Sequence, residues 1–393
     1  MKILVVDDEE DVELLLTQRF RKKIRDKELD LRFAHHGGQA LEAISLENDF
    51  DLVLTDINMP VMDGLTLLSK MGGIHSPIMS IIISAYGDLD NIRTAMNLGA
   101  FDFITKPINF SDLDATLQKS FQLLNQMKVA KREHEALLGI QQELSIAREI
   151  QQSMIPALDH ALMKQKGIDV SAVMIPAKEV GGDFYDFFFI DENRVGICIA
   201  DVSGKGVPAA LFMAMTKTLV KASAMSGLFP ADCMDYVNRF LSQDNDTCMF
   251  VSVFFAILDL AKHELCYANG GHNLPYIVRK GSPPVFLQQL KGMVLGIDDG
   301  TYEEKIIPFP PGDILYTYTD GVTEAMNPQE ELMGEARLEE ILKAHTAQGP
   351  EHLTAQVLEE IKTFASGAPQ SDDITMMALS LPFSYPGVTD SQA

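Results

Sequence analysis

From Met1 to about Gln122, short β-branched runs alternate with longer stretches whose apolar residues recur at helical spacing. That alternation predicts parallel strands covered by helices. The strand candidates are Ile3 to Asp7, Leu29 to Ala34, Leu52 to Asp56, Ile78 to Ser84 and Phe101 to Thr105. Between them lie amphipathic stretches such as DVELLLTQRF, GGQALEAI and LDNIRTAMNLGA, so residues 1–122 read as a doubly wound α/β unit of (βα)5 type. From Leu123 to Ile155 the chain has no Pro and a single Gly, Gly139, among strong helix formers. A long linker helix over 123–155 follows. Leu123, Ala130, Leu137 and Leu144 repeat at seven, with Ile140, Ala147 and Met154 in the second register, while Gln126, Glu133 and Gln151 interrupt the seam. The pattern suits either a parallel dimeric coiled coil or a single helix lying on its neighbours.

Beyond Pro156 strands come at short intervals: FYDFFFI, VGICIADV, FVSVFFAIL, ELCYANG, PYIVRK, DILYTYTDG and ITMMALSLPF. Two helical patterns, PAALFMAMTKTLVKASA and ARLEEILKAHTA, sit between them, which predicts an α+β sandwich over 156–382. Residues 383–393 read as a disordered tail.

Composition narrows the partners. The chain has 32 basic and 56 acidic residues, a formal charge of −24, and such a field repels nucleic-acid phosphates and anionic lipid headgroups. No nucleic acid and no membrane surface are therefore expected as partners. The four cysteines, Cys198, Cys233, Cys248 and Cys266, form no CxxC pair, which supports neither a zinc ribbon nor a disulfide framework. With no signal-peptide pattern at KILVVDD and no apolar run near the ~20 residues of a membrane span, a cytoplasmic location is expected.

Candidate chemistry begins at the strand ends of the first unit. Asp7 and Asp8 follow the first strand, Asp56 ends the third, Ser84 the fourth, and Lys106 with Pro107 the fifth. In an open α/β sheet these ends converge on the ligand crevice. Acidic residues at strand ends often only cap helices, but three carboxylates together with a lysine suit a hard divalent cation and an aspartate that accepts a phosphoryl group. The joint pattern, DD after an apolar strand, then DINMPVMDG, ISA and TKP, resembles the receiver domain of two-component response regulators over the first ~120 residues. The resemblance implies Asp56 as phosphoacceptor, Mg2+ held by Asp8, Asp56 and the Asn58 carbonyl with Asp7 assisting, and Ser84 and Lys106 as the switch pair. It also implies a cis Lys106–Pro107 bond, Phe103 at the aromatic switch position and a sensor histidine kinase as phosphodonor.

No helix-turn-helix follows this unit. Instead, aspartates stand beside strands: Asp183 in EVGGDFYD, Asp201 in CIADVSGKG, Asp320 in YTYTDGVTEA and Asp372 in QSDDITMMAL. A lone D-G or D-D is ordinarily a turn signal. Gathered in one cleft, four carboxylates would call for cations, and a pair of Mg2+ or Mn2+ ions activates water and clamps phosphoryl oxygens for in-line hydrolysis. Their order and context resemble the metal-dependent protein phosphatase (PPM) family, in its SpoIIE-like bacterial branch, over about Ile150 to Leu381, with IAREIQQSMIP and ANGGHNLP adding to the likeness. The resemblance implies an α/β/β/α sandwich, two Mn2+ or Mg2+ held by Asp183, Asp201, the Val202 carbonyl, Asp320 and Asp372, and hydrolysis of protein phosphoserine or phosphothreonine. Its usual substrates are small STAS-domain antagonists of anti-sigma factors.

Ser203 and Lys205 occupy the stretch where eukaryotic members carry a histidine, and Lys178 stands near the place of their phosphate-gripping arginine. Asp186 and Asp373 are accessory carboxylates beside the ligands, better suited to orienting them than to holding a third metal. His272, in GGHN, reads as a structural hydrogen-bonder rather than a catalytic group, and RKKIR from Arg21 to Arg25 as a solvated helix face. The whole then reads as a phosphatase gated by a receiver, with homodimerisation through the linker helix as one route of control. The alternative is a module that sequesters a partner when Asp56 is phosphorylated and turns nothing over; phosphate release that depends on Asp201 separates the two.

Overall fold

The computed structural model describes residues 1–72, 78–85, 88–158, 160–243, 245–298, 300–345 and 348–382. The expected tail at 383–393 and the last two residues of ARLEEILKAHTA lie outside the described residues. The chain divides into two compact units, Met1–Gly139 and Ile140–Ala393.

The first unit runs β1 (Lys2–Val6), α1 (Glu10–Arg19), α2 (Arg21–Arg25), β2 (Asp30–Ala34), α3 (Gly37–Leu46), β3 (Leu52–Asp56), α4 (Gly64–Met71), β4 (Met79–Ala85), α5 (Leu89–Asn97) and β5 (Asp102–Lys106). All strand pairs are parallel, in the order β2-β1-β3-β4-β5. The inner strands β1, β3 and β4 are almost wholly buried and mainly apolar because both of their faces are covered, whereas the edge strands β2 and β5 carry charged residues. Val5, Leu54 and Ile83 face Leu16 and Leu117 on one side, while Leu4 and Val53 face Ala40 and Leu67 on the other. The expected strands agree with these bounds to within one residue.

The helix that closes this unit does not stop at residue 122. It continues as α6 (Phe110–Met154), 45 residues long, so the last helix of the first unit and the linker are one element. No proline or capping glycine interrupts it, and Gly139 alone costs a helix only about 1 kcal/mol. Leu113, Leu117 and Leu124 are buried on the first unit, whereas every residue from 125 to 143 is exposed.

The second unit contains α7 (His160–Lys166), β6 (Asp169–Ile175), β7 (Phe184–Phe189), β8 (Arg194–Val202), α8 (Val207–Met225), α9 (Pro230–Ser242), β9 (Val251–Asp259), β10 (Glu264–Gly270), β11 (Tyr276–Val278) and β12 (Val285–Phe286). It continues with β13 (Glu304–Pro308), β14 (Ile314–Tyr318), α10 (Asp320–Thr323), α11 (Gly334–Ala344), α12 (Pro350–Ala365) and β15 (Ile374–Ser380). Two antiparallel five-stranded sheets form, β13-β10-β9-β8-β7 and β12-β11-β14-β15-β6. Ile197, Ile199, Phe254 and Tyr267 meet Leu315, Met377 and Leu379 between the sheets. Outside them, Phe255 and Cys198 pack on Phe212 and Val220 of α8, and Tyr316 and Met376 pack on Leu342 and Val357 of α11 and α12. The result is the four-layer α/β/β/α sandwich.

Candidate functional site

In the first unit, β1 and β3 are neighbours whose carboxyl ends deliver Asp7, Asp8 and Asp56 to one place. Their carboxylate oxygens lie within 4.8 Å of one another, with Asp7 and Asp56 buried and Asp8 exposed. Lys106 reaches the same spot from β5, its ammonium 2.6 Å from Asp56 Oδ2, 3.1 Å from Asp7 Oδ2 and 3.0 Å from Glu9 Oε1. Burial works to lower the lysine's pKa, but the hydrogen bonds to Asp56 and Glu9 outweigh it and the pKa rises. Burial raises the Asp7 carboxyl, opposed by the Glu9 amide and Lys106. The Asn58 N–H donates to Asp56 Oδ1 (3.3 Å), and Gly64 is required because a Cβ there would stand 2.1 Å from the Asp56 carbonyl oxygen. Ser84 is fully buried at the end of β4, its hydroxyl donating to Asp88 Oδ2 (3.4 Å), and Phe103 is partly exposed on β5. The Lys106–Pro107 peptide is cis. Glu9 is a partner the sequence reading missed; its place directly after DD was the available signal.

In the second unit, four separate stretches converge. Asp183 precedes β7, Asp201 lies near the end of β8, Asp320 opens α10 after β14, and Asp372 and Asp373 precede β15. Burial and then the charge of Asp201 push the Asp183 carboxyl well above the usual range. Burial and then Asp320 raise Asp201 to about 7, although a hydrogen bond with Asp183 works the other way. Burial and then Glu324 and Asp372 raise Asp320. Thr319 donates to Asp183 Oδ2 at 2.7 Å, orienting it, and Lys205 pairs with Asp372 at 2.9 Å. Among the described residues, the first unit's trio is the one group of three acids whose oxygens all lie within 4.8 Å of one another.

Glycines make room for this convergence. A Cβ on Gly181 would meet Asp373 Oδ2 at 2.3 Å, on Gly182 the Val202 carbonyl at 2.8 Å, and on Gly321 the Asp373 carbonyl at 2.0 Å. Asp373 accepts from the amides of Ala177 (2.7 Å), Gly182 (2.8 Å) and Asp183 (3.4 Å), so it ties the Asp183 segment to β15.

Asp186 is not free for an accessory role. Its carboxylate forms a buried ion pair with Lys217 of α8, on the helix-facing side of β7. The alternation of β7 explains this, since Asp186 shares the face of Phe184 and Phe188. Lys178 is exposed. Ser203 exchanges hydrogen bonds with Phe250, its N–H donating to the Phe250 carbonyl (2.8 Å) and its hydroxyl accepting from the Phe250 N–H (3.0 Å). His272 is buried between the sheets, with Nδ1 2.8 Å from Ser252 Oγ and Nε2 3.1 Å from the Tyr318 carbonyl; burial lowers its pKa to about 4.

The Stage II sporulation protein E (SpoIIE) family matches residues 191–382, and the response regulator receiver domain matches residues 3–118. The chain is 30% identical over 256 residues to the phosphoserine phosphatase RsbU of Bacillus subtilis, covering 64% of this chain and 75% of that protein. It belongs to the SpoIIE family of phosphatases. The SpoIIE-family unit is thus a protein serine/threonine phosphatase, and the unit before it is a response-regulator receiver. That receiver is 36% identical over 122 residues to sporulation initiation phosphotransferase F of Bacillus subtilis, covering 31% of this chain and 94% of that protein. The SiaA-PP2C domain of Pseudomonas aeruginosa shares the fold, with a TM-score of 0.54 and 22% identity over 62% of this chain and 98% of that one. Among the described residues no helix is long and apolar enough to cross a membrane.

Proposed function

We propose that a sensor histidine kinase loads Asp56 and that the phosphorylated receiver controls hydrolysis of phosphoserine or phosphothreonine on a small STAS-domain antagonist of an anti-sigma factor. Partner switching in the cytoplasm is then the setting. The likeness to RsbU supports the substrate class, and the charge of −24 argues against nucleic acid and anionic membrane as partners. The exposed seam residues Leu137 and Ile140 of α6 suit pairing with a second copy of the helix.

Asp7, Asp8, Asp56 and the Asn58 carbonyl would hold Mg2+, and Asp183, Asp201, the Val202 carbonyl, Asp320 and Asp372 two Mn2+ or Mg2+. The donors fit, being hard oxygens, and the elevated carboxyls of Asp183 and Asp201 are in the state that a cation relieves. Bound there, such ions neutralise the carboxylates, polarise phosphoryl oxygens and lower the pKa of the attacking water. Thr319 fixes the Asp183 carboxylate, Asp373 holds the segment that bears it, and Ser84 with Lys106 would hold the acyl phosphate on Asp56. In the reaction, water's oxygen bonds to phosphorus, the ester P–O bond breaks, and the seryl or threonyl oxygen leaves with a proton.

The geometry that carries this reading is the convergence of acids from separate stretches of sequence, with Thr319 bonded to Asp183 and Asp373 tying the Asp183 segment to β15. Purified protein with Mn2+ is expected to release phosphate from a phosphoseryl protein, and Asp201→Asn to lower the rate about a hundredfold or more with folding intact. Equal inertness of both proteins, with partner binding that depends on phosphorylated Asp56, would overturn it in favour of sequestration.

A further inference from the structure

The last turn of α6 carries one polar side chain that is not in water. Gln151 is buried, although Ile150 and Gln152 on either side are exposed. Its Nε2 donates to the Gly181 carbonyl at 2.7 Å and its Oε1 accepts from the Gly181 N–H at 3.1 Å. The same Nε2 lies 3.8 Å from Met213 Sδ of α8. A carboxamide that satisfies both polar atoms of one peptide fixes that peptide in position and orientation. The next residue, Gly182, is held by Asp373, and Asp183 follows. A chain of direct bonds therefore runs from the linker helix to the segment that carries the most buried acid of the site.

We propose that Gln151 is a positioning residue of the phosphatase, latching the Gly181–Asp183 segment at the place where Asp183 meets Asp201, so that the register of α6 decides whether the acid cluster is assembled. The positioning role stands on the contacts above; its use as a control rests on the reading that the receiver governs the phosphatase. A one-residue change of register turns a helix by about 100° and advances it about 1.5 Å. Because donor and acceptor sit on one carboxamide, such a step removes both hydrogen bonds together and leaves a buried peptide unpaired. The latch thus has two discrete states rather than a graded one.

The test compares full-length wild type with Gln151→Leu, Gln151→Glu and the exposed control Gln152→Leu. Turnover of p-nitrophenyl phosphate across a Mn2+ titration, calorimetric Mn2+ binding and thermal melting are measured before and after treatment with acetyl phosphate. Gln151→Leu is expected to bind Mn2+ at the phosphatase site about tenfold more weakly and to lose kcat, and its rate no longer to respond to acetyl phosphate. Gln152→Leu should match wild type. Gln151→Glu, which keeps the acceptor and loses the donor, should fall between, and it carries the test if the leucine variant does not fold. A Gln151→Leu protein with wild-type kcat and Mn2+ midpoint overturns the latch whatever its melting temperature. A wild-type rate that ignores acetyl phosphate, with Gln151→Leu still impaired, overturns the control reading and supports the positioning role.

Discussion

Individual residues at the phosphatase site are constrained more by the space around them than by their own chemistry. Gly321 is the sharpest case, since a Cβ there would stand 2.0 Å from the Asp373 carbonyl. Gly321→Ala is expected to destabilise the phosphatase unit by about 2 kcal/mol or more and to lower activity, read by denaturant unfolding and phosphate release. His272 makes a second prediction. Its pKa is lowered from 6.5 to about 4 in the folded protein, so as the pH falls below about 6.5 the unfolded chain takes up a proton that the folded chain refuses. Stability present above pH 6.5 is progressively lost toward pH 4, by an amount on the order of 3 kcal/mol. Urea titrations between these pH values should show the loss in wild type, and a smaller one in His272→Asn. The four phosphatase aspartates were legible because each stands where an apolar strand meets a glycine or polar turn, Asp183 and Asp372 before their strands and Asp201 and Asp320 at the ends of theirs. Glu9, Thr319 and Gln151 were not, because their importance comes from contacts with distant segments, and Gln151 even counted as a flaw in the heptad seam.

Elements were legible where burial imposes a clean period. The inner receiver strands β1, β3 and β4, covered on both faces, are nearly continuous apolar runs and stand out; β6 and β13 do not, since β6 is only half-buried along most of its length and β13 alternates between exposed and half-buried residues. The helices α9 and α12 also escaped, although both begin at a proline, Pro230 and Pro350, which pre-sets the first turn. The boundary at residue 122 had no physical stop signal, and the helix runs through it. Leu137 and Ile140 are exposed on that helix, so Leu137→Glu with Ile140→Glu leaves either fold intact. If the seam pairs two copies, sedimentation should show the doubly substituted protein at half the wild-type mass. Equal masses would remove the seam from the account.

At the scale of the whole molecule, two clusters of carboxylate are held in separate units, each short of enough protein cations to balance it. Among the described residues, Lys106 alone pairs with Asp7, Glu9 and Asp56, and Lys205 alone with Asp372. A chelator is therefore expected to abolish phosphate release, and added Mn2+ to restore it, while far-ultraviolet circular dichroism stays unchanged. Asp56→Asn should retain the basal rate yet lose any difference that acetyl phosphate makes to wild type. Fold class and chemistry at this scale were readable from sequence, since alternating βα units and clustered strands announce two architectures; the means of communication was not.

The uncovered middle of α6, residues 125 to 143, has one more consequence. Without tertiary packing a helical stretch survives on its own backbone bonds, and such stretches open at the lowest free energy in a protein. Trypsin, with Lys131 and Arg132 within reach, would find its earliest cleavage there, parting the chain into two pieces that each keep an intact core.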